Sequence, residues 1–143
     1  MASETQTEMF DIEAATALLA EVTAPWVQEL GLTVTSITPQ NSQFHLPFSP
    51  RLTRDAGMMC GQAIVAAADT AMIAAVTAAI GEYAPITTVD IAAKYLRPLG
   101  SGGGDLTIDI LKAGRRLIVG RIALVDCQSG KLAAEISSTY ARL

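Results

Sequence analysis

A single carboxylate interrupts the most apolar stretch of the sequence. Residues 63–80 read AIVAAADTAMIAAVTAAI, and Asp69 is the one charged side chain among them. An unpaired carboxylate is costly to bury, so this position favours chemistry in which a carboxylate acts as general base or nucleophile. The structural alternative is that Asp69 only hydrogen-bonds to a neighbouring backbone group, to Thr70 or to Thr88.

The residues before Asp69 offer a second chemical group. Alanine dominates the run and Gly61 and Gly81 bound it, so the sequence predicts one long buried helix. The first N–H groups of a helix have no intrahelical partner and lie at the positive end of its dipole, so they stabilise an oxyanion developing on a carbonyl. The backbone amides of Gly61 and Gln62 are the candidate donors.

The spacing of these two groups has a consequence for assembly. Eight residues separate Gly61 from Asp69, which is about 12 Å along a helix. One carbonyl cannot contact both groups of the same helix. If both act on one substrate, they must come from two helices that run antiparallel across a two-fold axis, which predicts a homodimer.

The rest of the chain reads mostly as strands. β-branched and aromatic residues alternate in residues 32–50, with a turn at 39–41, which predicts a hairpin. After the helix, turn residues separate four strands that are predicted to form a meander, at 86–98, 105–114, 115–127 and 131–143. The predicted fold class is α+β, with a curled antiparallel sheet of five to six strands wrapped around one long central helix.

The N-terminal part has a different pattern. Residues 10–30 are amphipathic, and Pro25 is predicted to divide them into two short helices, with Trp26 and Leu30 packing inward. The opening residues, MASETQTEMF, contain neither a basic nor an apolar segment typical of a secretory signal, so we expect a cytoplasmic protein.

Composition excludes several classes of function. The net charge is −4 and the basic residues are dispersed, which disfavours nucleic-acid binding. Residues 63–80 are as long as a short membrane span, but Asp69 and the alanine-rich composition favour a buried helix and no membrane contact. Cys60 and Cys127 lack metal-ligand spacing, so we expect free thiols and no metal. The single histidine, His45, leaves most histidine-based catalysis incomplete.

Three motifs resemble one known family. CGQAIVAAADTAM, TTVDIAAKYLRP and GKLAAEISSTYARL, in this order, are similar to segments of the hotdog-fold thioesterases, in particular the phenylacetate-pathway-type (PaaI-like) acyl-CoA thioesterases. The resemblance covers residues 30–143. It implies a single hotdog domain over residues 1–143, in which 1–31 form an N-terminal helical extension. It also implies hydrolysis of acyl-CoA to free acid and CoA, no cofactor apart from the CoA of the substrate, and a homodimer that pairs into a dimer of dimers.

The resemblance also implies roles for individual residues. Asp69 occupies the position of the family's general base or nucleophile, and a backbone amide at Gly61 or Gln62 of the partner helix polarises the carbonyl. Thr88 aligns with a hydroxyl residue near the attacking water, although β propensity explains a strand threonine equally well. Period-two alternation predicts that Thr88 and Asp90 share one face of their strand.

Further residues are expected to bind the substrate. The phosphates of CoA need cations, and the candidates are Arg97, Arg115 and Arg116, for each of which a solvated surface charge is the alternative. Apolar residues expected to line the acyl slot are Met58, Met59 and Tyr95. Three residues at the site depart from the family pattern: Arg54 replaces an Asn, Cys60 a His and Gln62 a second Gly.

Two other functions remain open at this point. The substitutions at Arg54, Cys60 and Gln62 are compatible with an acyl-CoA binding or sensing module that has lost turnover. Hotdog dehydratases act on hydroxyacyl thioesters with a histidine and an acid, but His45 falls on a predicted strand outside their motif. Neither the acyl group nor the choice between dimer and tetramer follows from the sequence.

Overall fold

The core of the protein is one long alanine-rich helix. The computed structural model describes residues 9–143, and in it helix α3 spans Gly61–Ile80. Five of its alanines have no exposed surface, since their small side chains let the sheet approach closely: Ala67, Ala68, Ala71, Ala74 and Ala75. The helix ends at Gly81, whose φ of 84° is the left-handed conformation that glycine adopts without strain.

Two short helices precede the sheet. Helix α1 spans Ile12–Val22 and helix α2 spans Pro25–Gln28, so the predicted division at Pro25 is confirmed. Leu30 is buried as predicted, but Trp26 is 62% exposed, and its predicted inward packing is wrong. Because α2 has a single turn, it presents only one side to the core, and that side carries Val27. The first eight residues of the predicted N-terminal extension lie outside the described part of the chain.

Six antiparallel strands form one sheet around α3. Their bounds are Thr33–Ile37 (β1), Asn41–Leu46 (β2), Ile86–Tyr95 (β3), Gly104–Ala113 (β4), Leu117–Asp126 (β5) and Leu132–Arg142 (β6). Two short 3₁₀ helices, Pro50–Leu52 and Asp55–Gly57, connect β2 to α3. The strand order is β1-β2-β4-β5-β6-β3. The predicted hairpin and the predicted curled α+β sheet of up to six strands around one helix are confirmed.

The prediction of a four-stranded meander after the helix is wrong in one respect. Strands β4, β5 and β6 are sequential neighbours, but β3 pairs with β6 at the far edge and not with β4. Helix α3 carries the chain across the sheet from β2 to that edge, so β3 begins there. The glycine-containing segment 96–103 then returns the chain to β4, with Leu99 buried beneath it.

The apolar side chains of the inner sheet face pack against α3. Large residues without exposed surface come from four strands: Phe44, Leu106, Ile108, Ile118, Ile122, Leu124 and Ile136. At Gly120 a Cβ would lie 2.7 Å from Sδ of Met72, so glycine lets this methionine pack directly on β5. By length and composition α3 could cross a membrane, but 67% of its apolar window is buried in the domain, and it is the core helix.

Candidate active site

The carboxylate of Asp69 is held by two hydroxyl groups from the sheet. Its Oδ1 accepts a hydrogen bond from Oγ1 of Thr88 at 2.8 Å and one from Oη of Tyr140 at 2.5 Å. The Tyr140 hydroxyl also lies 2.7 Å from the Asp69 carbonyl oxygen. Within residues 9–143 no donor contacts Oδ2. One oxygen is therefore fixed in position, and the other is left for water or a substrate.

A β-bulge in β3 determines which side chains face Asp69. Thr88 pairs with Tyr140 and Asp90 pairs with Thr139, so Val89 is an extra residue in β3. The bulge interrupts the two-residue alternation. Thr88 therefore lies on the inner face with Tyr140, whereas Asp90 lies on the outer face, and the prediction that Thr88 and Asp90 share a face is wrong.

Tyr140 is a site residue that the sequence reasoning missed. Its side chain is almost fully buried, at 2% exposure. Burial, and next the hydrogen bond to Asp69, raise the pKa of the Tyr140 hydroxyl well above its usual range, so it remains a donor at physiological pH. A signal was present in the sequence: Ile136, Ser138 and Tyr140 alternate along one strand face, and a buried tyrosine hydroxyl needs a partner.

The change Tyr140→Phe tests this position. Phenylalanine keeps the ring but removes the donor to Asp69, a charge-assisted bond worth about 1.5–3 kcal/mol, so we expect kcat to fall by about 10-fold with KM little changed. The folded state raises the pKa of Tyr140, so its contribution to stability is complete below about pH 10 and is lost as pH rises further. Urea unfolding from pH 7 to 11 should show this alkaline loss in the wild type and less of it in the variant.

The matched control for the unfolding measurement is Tyr83→Phe, because Tyr83 is 53% exposed. This variant should keep the alkaline loss of the wild type. If Tyr140→Phe instead kept the wild-type kcat and the wild-type alkaline profile, Tyr140 would not position Asp69.

The amino end of α3 is open toward solvent. Cys60 has an extended backbone, its N–H donates to the carbonyl of Leu52 at 2.8 Å, and no side chain caps the helix. Ile64 is the first residue whose N–H is bonded to the preceding turn, at 3.4 Å from the carbonyl of Cys60. The N–H groups of Gly61 and Gln62 precede it and are available to a ligand.

Tyr95 packs on this helix end. Its Oη donates to the carbonyl of Gly61 at 3.1 Å, and a Cβ on Gly61 would lie only 3.1 Å from its ring. Glycine at position 61 therefore permits the close contact. Burial, and to a lesser degree Cys60, raise the pKa of Tyr95, which keeps its hydroxyl protonated as a donor.

A groove joins the two groups along the uncovered side of α3. It runs from the helix end to Asp69, and its residues are Trp26, Gly61, Gln62, Val65, Ala66, Asp69 and Tyr95. A second cavity, of about 420 Å³, lies on the other side of Gly61 and includes Arg54, Met58, Met59, Tyr95 and Arg97. The two cavities share Gly61 and Tyr95, so cations lie next to an apolar groove that contains a carboxylate.

Comparison with known proteins identifies the family. A family model described as the thioesterase superfamily matches residues 56–133, more than half of the chain, including the amino end of α3, Asp69 and Thr88. The chain belongs to the thioesterase superfamily. Acyl-thioester hydrolysis is the general activity that this membership supports. No functionally curated protein matches the sequence.

Solved structures share the fold of this thioesterase. A conserved protein of Pseudomonas aeruginosa superposes with a TM-score of 0.78 at 25% identity, over 87% of this chain and 98% of that one. A thioesterase of Haemophilus influenzae superposes with a TM-score of 0.81 at 22% identity, over 92% of this chain and 90% of that one. The E. coli PaaI protein of the phenylacetic acid degradation operon superposes with a TM-score of 0.76 at 19% identity, over 92% of this chain and 91% of that one. The resemblance to PaaI-like hotdog thioesterases is confirmed.

The thioesterase fold brings most of the sequence-predicted residues to two places. Thr88 is hydrogen-bonded to Asp69. The other predicted residues lie around the amino end of α3: Arg54, Met59, Cys60, Gly61, Gln62, Tyr95 and Arg97. Met59 is buried and lines the second cavity, whereas Cys60 is half-buried and lines neither cavity. The roles of all these residues stay predictions.

Two predicted residues of the thioesterase lie apart from these cavities. Arg115 and Arg116 occupy the turn between β4 and β5, and neither lines a cavity described above. The carbonyl of Arg116 accepts from the N–H of Arg142 at 2.8 Å, which places the turn at the end of the sheet that carries Thr88 and Tyr140.

Trp26 lines the groove of the thioesterase, which the sequence reasoning did not foresee. The amphipathic pattern of residues 10–30 predicts an inward position for Trp26. Its exposure on a one-turn helix beside Val65 and Ala66 makes it a wall of the groove instead. A large exposed aromatic next to the uncovered side of α3 is a signal that only the three-dimensional arrangement reveals.

Proposed function

We propose that this thioesterase hydrolyses acyl-CoA to the free acid and CoA at sites shared between two subunits. The observation that carries the proposal is the carboxylate of Asp69, anchored through Oδ1 by Thr88 and Tyr140, in a groove that also contains the uncapped amino end of α3. A fixed carboxylate and unpaired amide donors are the two groups that acyl transfer from a thioester needs.

The reaction can follow two routes from this geometry. In the first, Oδ2 of Asp69 takes a proton from water as the water oxygen attacks the thioester carbonyl carbon. In the second, the carboxylate attacks that carbon itself, and water then hydrolyses the resulting anhydride. In both, the amides of Gly61 or Gln62 stabilise the oxyanion and the C–S bond breaks. In the first route the proton on Asp69 passes to the CoA sulfur, and in the second the leaving thiolate takes a proton from solvent.

Sharing the site between subunits follows from the length of α3. Gly61 and Asp69 lie about 12 Å apart on one helix, so one thioester carbonyl reaches both only if the amide comes from a second, antiparallel helix. The free edge of β3 supports such pairing: it is a ten-residue edge strand, and Val89 on it is 58% exposed. We therefore propose a homodimer as the active unit, which can pair further into a dimer of dimers.

The cavity beside Gly61 supports CoA as the carrier of the acyl group. Arg54 and Arg97 line it, although each also has a protein partner: Arg54 Nε donates to Asp55 at 2.9 Å, and Arg97 Nη1 donates to the carbonyl of Leu132 at 2.8 Å. Two guanidinium groups in a protein of net charge −4 are a local cationic site for phosphates. The apolar wall of Trp26, Val65 and Ala66 fits the acyl group.

The test measures the release of free acid and CoA from a panel of short, medium, long and aryl acyl-CoA esters. The products are quantified by chromatography. Each acyl group is also presented as a thioester without the nucleotide. We expect hydrolysis of both forms, with KM at least about 10-fold lower for the CoA form, because two phosphate contacts are lost without it. Chromatography avoids thiol dyes, which Cys127, exposed at the surface, would consume.

The other outcomes point to the alternatives. Tight binding of acyl-CoA without release of CoA would replace hydrolysis by a binding or sensing role. Loss of water from a hydroxyacyl ester would indicate a dehydratase, but His45, the sole histidine of the sequence, is on the outer face of the sheet and not beside Asp69. Equal KM values for the two thioester forms would remove CoA recognition from the proposal.

A further inference from the structure

Three side chains that can bind metals meet on the outer face of the sheet, opposite α3. His45 lies on β2 and Asp105 on β4, directly opposite each other in the strand register, and Cys127 follows the end of β5. Nδ1 of His45 is 2.8 Å from Oδ1 of Asp105 and 3.9 Å from Sγ of Cys127. The three ligand atoms all lie within 4.8 Å of one another.

The backbone holds these three residues in place. The ladder between β2 and β4 fixes the pair His45 and Asp105. The N–H of Cys127 donates to the carbonyl of Gly103 at 3.0 Å, which ties the end of β5 to the start of β4. The next turn is fixed by Asp126, whose carboxylate accepts from the N–H groups of Gly100 and Ser129 at 2.9 and 2.8 Å. The cluster is therefore preorganised by the β2–β4 ladder and by a turn whose backbone is hydrogen-bonded in place.

We propose that His45, Asp105 and Cys127 form a site for a first-row transition-metal cation, with Zn²⁺ as the best fit. An imidazole nitrogen, a thiolate and a carboxylate are the ligand types that Zn²⁺ takes, and water completes the tetrahedron. Around Zn²⁺ with bonds of about 2.0–2.3 Å, ligand atoms lie about 3.3–3.6 Å apart. The distance from Nδ1 to Oδ1 of Asp105, 2.8 Å, lies below this range, and the distance from Nδ1 to Sγ of Cys127, 3.9 Å, lies above it. Shifts of about 0.5 Å in the side chains would therefore form the site.

The geometry disfavours a nucleophilic cysteine in this cluster. In a catalytic triad the histidine uses its two ring nitrogens for different partners, one for the acid and one for the nucleophile. Here Asp105 and Cys127 both approach Nδ1, so the imidazole cannot pass a proton from one to the other. Three atoms of metal-ligating type grouped within 4.8 Å of one another fit a cation better than a proton relay.

The metal site is separate from the site of hydrolysis. Asp69 lies on the inner side of the sheet, whereas His45 and Asp105 point outward from it. A bound cation would join β2, β4 and the end of β5, and so stabilise this end of the sheet. The sequence-based expectation of no metal considered the spacing of Cys60 and Cys127, but the ligands of this cluster come from β2, β4 and the turn after β5, which are distant in the chain.

The first experiment titrates metal-stripped, reduced full-length protein with Co²⁺, which replaces Zn²⁺ and reports thiolate ligation by a charge-transfer absorption band. The wild type should give this band at one Co²⁺ per chain, and Zn²⁺ should remove it. Cys127→Ser should abolish the band, and Asp105→Asn should weaken Co²⁺ binding at least about 10-fold, since a carboxylate ligand is lost. The matched control is Cys60→Ser, which removes the other thiol of the chain and should leave the band unchanged.

A second measurement compares thermal unfolding with and without metal, first in the wild type. Zn²⁺ that binds only the folded state should raise the Tm of wild-type protein, whereas Mg²⁺, which prefers oxygen ligands in octahedral geometry, should leave it unchanged. The proposal is overturned if the wild type shows no thiolate-to-Co²⁺ band with Co²⁺ in excess, or if the band persists in Cys127→Ser. It is also overturned if Zn²⁺ raises the Tm of the wild type and of His45→Ala by the same amount.

Discussion

Asp69→Asn is expected to lower kcat for thioester hydrolysis by about 10²–10⁴-fold, the range in which a positioned general base contributes. Asparagine has the shape of aspartate and keeps an oxygen that can accept from Thr88 and Tyr140, the two donors to Oδ1. It can neither take the proton of water nor attack the carbonyl. The fold and the assembly should therefore be retained while turnover is lost, which circular dichroism and size-exclusion chromatography can verify.

The chain offers a matched control for this substitution. Asp90→Asn makes the same chemical change on β3, two residues from Thr88, but the bulge at Val89 turns Asp90 to the outer face, where it pairs with Thr139. This variant should keep wild-type kcat and KM. If Asp69→Asn kept wild-type turnover on the best acyl-CoA of the panel, Asp69 would be a structural residue and the proposed mechanism would fail.

The sequence was sufficient for the parts of the site that depend on local pattern. The alanine-rich run predicted α3 within two residues of its bounds, and its lone carboxylate indicated Asp69 as a candidate. The contact of Thr88 with Asp69, offered at first as the structural alternative, is present in the fold together with a third residue. A hydrogen bond to Asp69 and a catalytic role for it are therefore compatible, since the bond uses one oxygen only.

Features that depend on pairing between distant segments could not be predicted. Tyr140 lies 71 residues from Asp69, and no local pattern joins them. The bulge at Val89 is a mismatch between β3 and β6, so it appears only when the register of both strands is known. The position of β3 at the sheet edge could not be predicted either, because the sequence shows where a strand is but not which strand lies beside it.

Two inactive subunits should restore activity when combined, if the site is shared. The first carries Asp69→Asn, and the second carries Gln62→Pro, which removes one amide donor at the amino end of α3. Proline is tolerated in the first helical turn because the N–H it lacks has no intrahelical partner. A change at Gly61 is less suitable, since any Cβ there would lie 3.1 Å from the Tyr95 ring. The control Gln62→Ala keeps the N–H and should keep activity.

Heterodimers isolated with two affinity tags should recover about half of the wild-type kcat per dimer, because two-fold symmetry leaves one intact site of two. That site combines Asp69 of the Gln62→Pro subunit with the amide of the Asp69→Asn subunit. A site built within one subunit would be broken in both, so the heterodimer would be as inactive as either parent. Activity from two inactive subunits therefore requires that the groove along α3 is completed by a partner, and its absence would show that Asp69 and the Gln62 amide do not act together across two subunits.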